Sequence, residues 1–375
     1  MNTNKLGKII IYQFALWAIL LPISAFSQTI RKYSNDFLNI GVGARAMGMS
    51  NAVVASTGDV HAGYWNPAGL TQLQGLENVP KFQAGLMHSA YFAGMANYDY
   101  GSVAVPIEGG VIGFSLIRFG VDDIQNTINL VDPNTGAFDY SRISKFSTAD
   151  YAGLISFAKK MPVEGLSLGA NVKIIHRIIG DFAQAWGFGI DAGAQYERKN
   201  LKLGAVLRDA TSTFNAWSYS IDNNTRDVFI ATGNEVPENN MEVTLPRLII
   251  GGGYKFFFLK DQISAMPELD AEFTFDGRRS TVIQGDPVSI DPRVGLELSY
   301  RELIFLRGGI GNIQQMKAEV GNYNETSFQP NFGVGLQLKD LFGLGTLSID
   351  YALTDIGDQT LLYSNVFSLR LDLNN

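Results

Sequence analysis

Little in this sequence is equipped for covalent chemistry. None of its 375 residues is cysteine, which excludes thiolate nucleophiles, thiolate metal sites and disulfides. The three histidines, His61, His88 and His176, stand far apart. Each is expected as a separate lumenal or rim residue rather than as part of a metal site. Serine and aspartate are plentiful, but no Gly-x-Ser-x-Gly elbow occurs. Asp122-Asp123 lacks the spacing of a calcium loop. Gly41-Val42-Gly43 is not flanked by the strand and helix of a nucleotide-binding unit. No catalytic residue, metal or cofactor is therefore expected, and the chain is not expected to be an enzyme.

The residues that do combine unusual types at short spacing lie in one run. It reads Phe37-Leu38-Asn39-Ile40-Gly41-Val42-Gly43-Ala44-Arg45-Ala46-Met47-Gly48-Met49, followed by Gly58-Asp59 and Tyr64-Trp65-Asn66-Pro67-Ala68-Gly69-Leu70. Arg45 stands among glycine and alanine, so its guanidinium must reach past small neighbours to a carboxylate or to carbonyls. Asp59, Asp191 and Glu297 are the candidate partners. Asn66-Pro67 favours a turn, and Trp65 would anchor it by burial. The site residues are thus Gly43, Arg45, Gly48, Asp59, Trp65, Asn66 and Pro67. They would pin a folded plug, or else touch a ligand directly.

The elements that must position this run alternate with period two. Trp186, Phe188, Ile190, Ala192, Ala194 and Tyr196 alternate with Gly187, Gly189, Asp191, Gly193, Gln195 and Glu197. The same rhythm recurs at Leu166–Ile174, Leu269–Phe275, Val294–Tyr300, Phe332–Leu338 and Leu347–Leu353. A helix, with its period of 3.6, cannot hold such rows on one face. Strands of about nine to twelve residues suit a tilted bilayer crossing. The pattern predicts an all-β fold: a transmembrane antiparallel β-barrel of about 14 strands with an N-terminal plug-like segment in the lumen. Predicted short turns alternate with long polar connections near 119–145, 210–245, 277–291 and 313–328, as in bacterial outer-membrane barrels. An even count puts both strand ends on the periplasmic side.

Residues 1–27 read as a signal peptide, with Lys5 and Lys8, an apolar stretch from Ile9, and Ala25-Phe26-Ser27 before the cleavage point. Residues 28–79 would form the plug and 80–375 the barrel. Without the leader's two lysines, 27 basic residues face 36 acidic ones, which argues against a nucleic-acid partner. The final residues Leu371-Asp372-Leu373-Asn374-Asn375 lack the terminal aromatic residue common in such barrels.

The Gly-x-Gly-Ala-Arg-Ala-x-Gly-Met run and Tyr64-Trp65-Asn66-Pro67-Ala68-Gly69-Leu70 resemble motifs of the PorV/PorQ family, itself related in architecture to FadL-type channels. The motifs cover about forty residues, and the strand layout extends the likeness over the mature chain. The resemblance implies an outer-membrane component or accessory of the type IX secretion system. Its partners would be a translocon barrel and cargo proteins with C-terminal signal domains, met at loops 119–145 and 210–245. Gly43-Ala44-Arg45-Ala46 departs from the DSRAG-like form of secretion-specific members and implies a paralogue. The alternative is a FadL-like channel for hydrophobic small molecules, in which the N-terminal segment is a movable plug.

Overall fold

The computed structural model describes residues 34–75, 79–131, 135–317, 324–340, 343, 345–354 and 363–373. The predicted leader lies outside them.

The segment 34–75 forms short turns rather than strands. It contains two helical turns, α1 (Ala44–Gly48) and α2 (Ala62–Trp65), and 3-10 turns at Asp36–Asn39 and Pro67–Gly75. Fourteen antiparallel strands then follow in ring order. They are β1 (Phe82–Tyr91), β2 (Ala96–Ile107), β3 (Gly110–Asn126), β4 (Ser144–Lys160), β5 (Leu166–Ile179), β6 (Ala183–Arg198), β7, β8, β9 (Ile263–Thr274), β10 (Ser289–Tyr300), β11 (Ile304–Lys317), β12 (Asn324–Leu338), β13 (Gly345–Thr354) and β14 (Ser364–Leu373). Two strands are interrupted. β7 runs as Leu201–Arg208 and Thr213–Tyr219, both paired to β6. β8 runs as Asn240–Thr244, Arg247–Tyr254 and Phe256–Phe258, between β7 and β9. The ring closes where β1 pairs with β14, from Phe82↔Leu373 to Ala90↔Asn365.

The alternating rows sort to the two faces of this wall. On β6, Trp186 and Phe188 point outward, while Asp191 and Gln195 are buried in the lumen. On β9, Leu269 is exposed outside while Glu268, Asp270 and Glu272 are buried inside. A ring of Leu, Ile, Val and Phe turned outward is the surface that lipid solvates, and closing the ring leaves no unpaired strand edge within it. The hydrophobic core lies in the lumen: Val42, Met47, Met49, Tyr64 and Trp65 pack against Tyr98, Tyr100, Ile117, Leu154 and Ile175 of the wall.

The connections alternate as expected. Turns such as 108–109, 199–200 and 301–303 lie at one end, together with Phe82 and Leu373. At the other end are the connections 127–143, 220–239 and 275–288. The second of these carries α3 (Asn223–Ala231), capped by Asp222, whose Oδ1 accepts from Thr225 N–H at 2.7 Å. The long loops are shorter than predicted, because strand structure continues into 119–145 and 210–245. β3 runs to Asn126, β4 starts at Ser144, and Thr213–Tyr219 and Asn240–Thr244 are paired strand. Both faces turn polar there (Asp122, Gln125, Lys145), so the alternation that marks a strand disappears from the sequence while the backbone ladder continues. Between the halves of β7, Asp209 and Ser212 adopt positive φ, 54° and 59°, and turn the chain through a four-residue break.

Candidate functional site: the lumenal plug

The segment 34–75 crosses the lumen. α1 packs against β11–β14, and the 3-10 turn Pro67–Gly75 packs against β2–β6. Its two halves are held by different chemistry.

The first half hangs on charges. Arg45 makes a bidentate pair with Glu297, Nε donating to Oε2 at 2.8 Å and Nη2 to Oε1 at 3.1 Å, and Nη2 also reaches Ser56 Oγ at 3.2 Å. Glu297 accepts a second guanidinium, Arg307 Nε at 2.7 Å, and Arg307 Nη1 continues to Asp350 at 2.6 Å. Of the three partners proposed for Arg45, the structure selects Glu297. Asp59 instead accepts from Arg370 at 2.9 Å and lies 3.0 Å from His61 Nδ1, and Asp191 pairs with Lys173 at 2.8 Å.

Two wall carboxylates that sequence reasoning did not assign to the plug hold its backbone. Asp270 Oδ2 accepts the N–H groups of Val53 and Val54 at 2.9 and 3.0 Å, and Glu268 Oε1 accepts those of Ala55 and Ser56 at 2.7 and 3.2 Å. Four consecutive donors are thereby satisfied away from water. Asp270 and Glu272 were visible as the polar side of the β9 row, but alternation gives a side chain's face and not its partner.

The second half sits on amides and on missing side chains. Asn66 is fully buried; its Nδ2 donates to Val54 O and to Ala194 O of β6, both at 3.0 Å, and its Oδ1 accepts from Ala68 N–H at 3.3 Å. Pro67, beside it, lies against Gly193, where an added Cβ would come within 2.9 Å of Pro67 Cδ and collide with Asn66 Oδ1. Gln195 Nε2 donates to Thr57 O at 2.8 Å and to Val54 O at 3.1 Å. Trp65 Nε1 donates to Val42 O at 2.8 Å, tying the two halves together, and Arg208 lies over the Trp65 and Tyr64 rings.

The two motif glycines have local causes. Gly43 precedes α1 at φ 82°, its N–H points at Met87 Sδ, and a Cβ there would meet the His61 ring at 2.9 Å. Gly48 faces Gly333 of β12, where a Cβ would stand 2.9 Å from the Gly333 Cα. The seven predicted residues therefore belong to one assembly, though Arg45 and Asp59 have separate partners.

The histidines fall differently from expectation. His61 is in the plug, stacked on Tyr100. His88 and His176 sit on the outer face of β1 and β5 rather than in the lumen, His176 stacked on Trp186 at 4.0 Å. Their positions follow from register: each lies an even number of residues from outward leucines, Leu86 and Leu168.

At the loop end a vestibule of about 590 Å³ opens onto the plug. Asp36, Asn39 and Asn51 of the plug segment line it, with Arg247, Glu272 and Arg293 of the wall. Its charges are paired: Arg247 Nη1 donates to Glu272 at 3.0 Å and to Asn39 at 2.6 Å, and Arg293 donates to Glu272 at 2.6 Å. Burial raises the Asp36 carboxyl above its ordinary value, against the opposing hydrogen bond from Asn39.

No family model matches the chain, and no curated protein matches it. Its fold is shared with solved barrels of very different sequence. The CymD monoaromatic hydrocarbon channel superposes with a TM-score of 0.53 at 12% identity, over 90% of this chain and 98% of that one. The Ralstonia pickettii toluene transporter TbuX gives 0.54 at 14% identity, over 89% and 99%. A Pseudomonas aeruginosa FadL homologue gives 0.52 at 13%, over 89% and 98%. The chain therefore has the fourteen-stranded barrel fold of FadL-type channels.

Proposed function

We propose that the chain is an outer-membrane barrel acting as a FadL-like channel for small molecules, with residues 28–79 as its gate. On this reading residues 1–27 export it, and both ends of the strand ring face the periplasm. The chain does no catalysis; it works by binding and passage. One observation carries the reading: the barrel shares its fold, over about nine-tenths of the chain, with channels described as carrying toluene and monoaromatic hydrocarbons. The vestibule opening onto a plug held by non-covalent contacts supplies a place for a solute to arrive and a gate that can move. The test is uptake of toluene and of a long-chain fatty acid by proteoliposomes. A cysteine pair at Ala44 and Ser368, where the Ala44 N–H donates to the Ser368 hydroxyl at 3.0 Å, would lock α1 to β14. Uptake that equals protein-free liposomes, or that ignores the lock, sinks the channel reading.

A second reading is a type IX secretion component or accessory of PorV/PorQ type, binding a translocon barrel or cargo with C-terminal signal domains. What favours it is the crowded lumen together with Phe138, Tyr140 and Ile230, large apolar side chains exposed at the loop end. Affinity purification from solubilised outer membranes tests it, and recovery of neither translocon nor cargo counts against it.

A further inference from the structure

The outer face of the wall is apolar along most strands, and the largest charged cluster on it lies on β1–β4, in a register row that His176 continues on β5. His88, Asp99, Arg118 and Tyr151 point outward from β1, β2, β3 and β4 and are directly opposite one another in register. His88 Nδ1 lies 2.7 Å from Asp99 Oδ1, and Arg118 Nη1 donates to Asp99 Oδ2 at 3.2 Å. The side chains remain 58%, 41% and 34% exposed respectively. Gly120, two residues further along β3, leaves room for the guanidinium, since a Cβ there would stand 2.9 Å from Arg118 Nη2. The arginine thus folds toward the loop end.

The level of this row makes it unusual. Arg118 is eight residues along β3 from Gly110. At about 2.5 Å of height per residue in a strand tilted by about 40°, that is ~20 Å above the short-turn end, inside an apolar band of ~25 Å. At the same distance along their strands, β5 places Ile174 and β6 places Ile190. Arginine on a lipid-facing wall costs free energy that falls toward the interface. Here Tyr151 and Asp99 together offset part of that cost, and about a third of the Arg118 side chain stays exposed.

Just below, on the short-turn side, runs a second registered row: Leu369, Leu86, Gly101, Leu116. Gly101 breaks it. A Cβ at Gly101 would touch only Leu86, at 3.7 Å, so the row has a notch one strand wide, and the cavity there measures about 490 Å³. A strand spacing of ~4.8 Å is also the width of one alkyl chain. A cationic donor above an apolar slot, in the half of the band nearer the loops, matches a lipid of that leaflet, head up and chain down.

We propose that this groove holds one acyl chain of an anionic membrane lipid, with its headgroup phosphate on Arg118 beside His88. The inference rests on the bilayer reading of the barrel. It is tested on the full chain in nanodiscs containing phosphatidylglycerol and phosphatidylcholine, by native mass spectrometry of lipids retained after release into detergent. Heat-modifiable migration on gels checks that each variant is folded. The expected result is one retained phosphatidylglycerol, favoured over phosphatidylcholine by about ten-fold. Arg118→Gln should remove that preference, and Gly101→Leu should fill the notch and remove both lipids. Leu296→Met, on the far wall, should change neither. Equal retention of the two lipids, or retention unchanged in both groove variants, overturns the proposal. Displacement of the lipid by millimolar inorganic phosphate would show a free-anion site instead, and a second protein held in place of lipid would show a protein interface. A chain that fails to enter nanodiscs at all sinks the membrane reading. One that enters without lipid preference sinks only this inference.

Discussion

The two halves of the plug do the same mechanical task with a different balance of chemistry. Residues 43–56 hang chiefly from carboxylates and guanidinium groups of β9–β13, with glycine backbone under Gly48 and Met49, whereas residues 57–75 rest mainly on amides, hydroxyls and bare glycine backbone of β3–β6, with Asp59 paired to Arg370 of β14. An ion pair is indifferent to a few tenths of an ångström but depends on charge and salt. A backbone seated on glycine is indifferent to charge but tolerates no added atom. If one half moves while the other stays, the charged half is the one that solution conditions can release.

That contrast can be broken from either side. The largest effect is expected from Glu297→Ala, which leaves Arg45 and Arg307 facing each other without their shared carboxylate. Losing one member of a buried ionic network costs ~3–5 kcal/mol, read as a lower unfolding midpoint and faster proteolysis of the plug. The double variant Arg45→Met with Glu297→Leu should recover much of that loss; no recovery would mean that Glu297 matters mainly to Arg307. Next comes Gly193→Val, which drives a side chain into Asn66 and Pro67. Overpacking of this kind costs ~1–3 kcal/mol, and its effect should not change with salt, whereas that of Glu297→Ala should. Asn66→Ala removes donors to Val54 and Ala194 and should cost ~1–3 kcal/mol through the carbonyls it strands. Equal salt sensitivity of the Gly193 and Glu297 variants would remove the distinction between the halves.

The smallest effect lies outside the plug, at the short-turn end. Glu302 accepts from Lys339 at 2.9 Å and Lys255 at 3.4 Å, joining three turns. The hydrogen bond from Lys339, ahead of the opposing effect of burial, lowers its carboxyl below the usual value. A depressed carboxylate stabilises the fold above its unfolded pKa and loses that contribution as pH falls through its folded pKa. Glu302→Gln should therefore shift the thermal midpoint slightly at neutral pH and not at all in acid. A shift in acid as large as the neutral one would exclude the ionic explanation.

The strand count was legible because alternation is a strong signal wherever one face meets lipid and the other a packed lumen. It failed where that contrast fails. The predicted end of β3, before the connection at 119–145, is the point where Arg118 interrupts the apolar outer row, although the ladder runs on to Asn126. The break in β7 hid Thr213–Tyr219 inside an expected loop. At the plug, the motif residues were legible as a group because arginine among glycines and a buried Trp-Asn-Pro are costly unless fixed. Their partners were not, because Asp191, Asp270 and Glu297 all read alike as inward acids. Only the ring's register decides which of them reaches Arg45 and which reaches the backbone at Val53.

The seam between β1 and β14 also carries a consequence for timing. Ala44 N–H donates to Ser368 Oγ across 324 residues of sequence, and Asp59 accepts from Arg370 across 311. The strand that closes the ring is thus the one that fastens the segment emerging well before it. Throughout synthesis and export the early segment has no such anchor, and it must be kept from pairing elsewhere until β14 arrives. Contacts of such sequence separation form late and slowly. A chain stalled before residue 364 would therefore be left with an open wall and a loose plug together, a single error that quality control could recognise at either place.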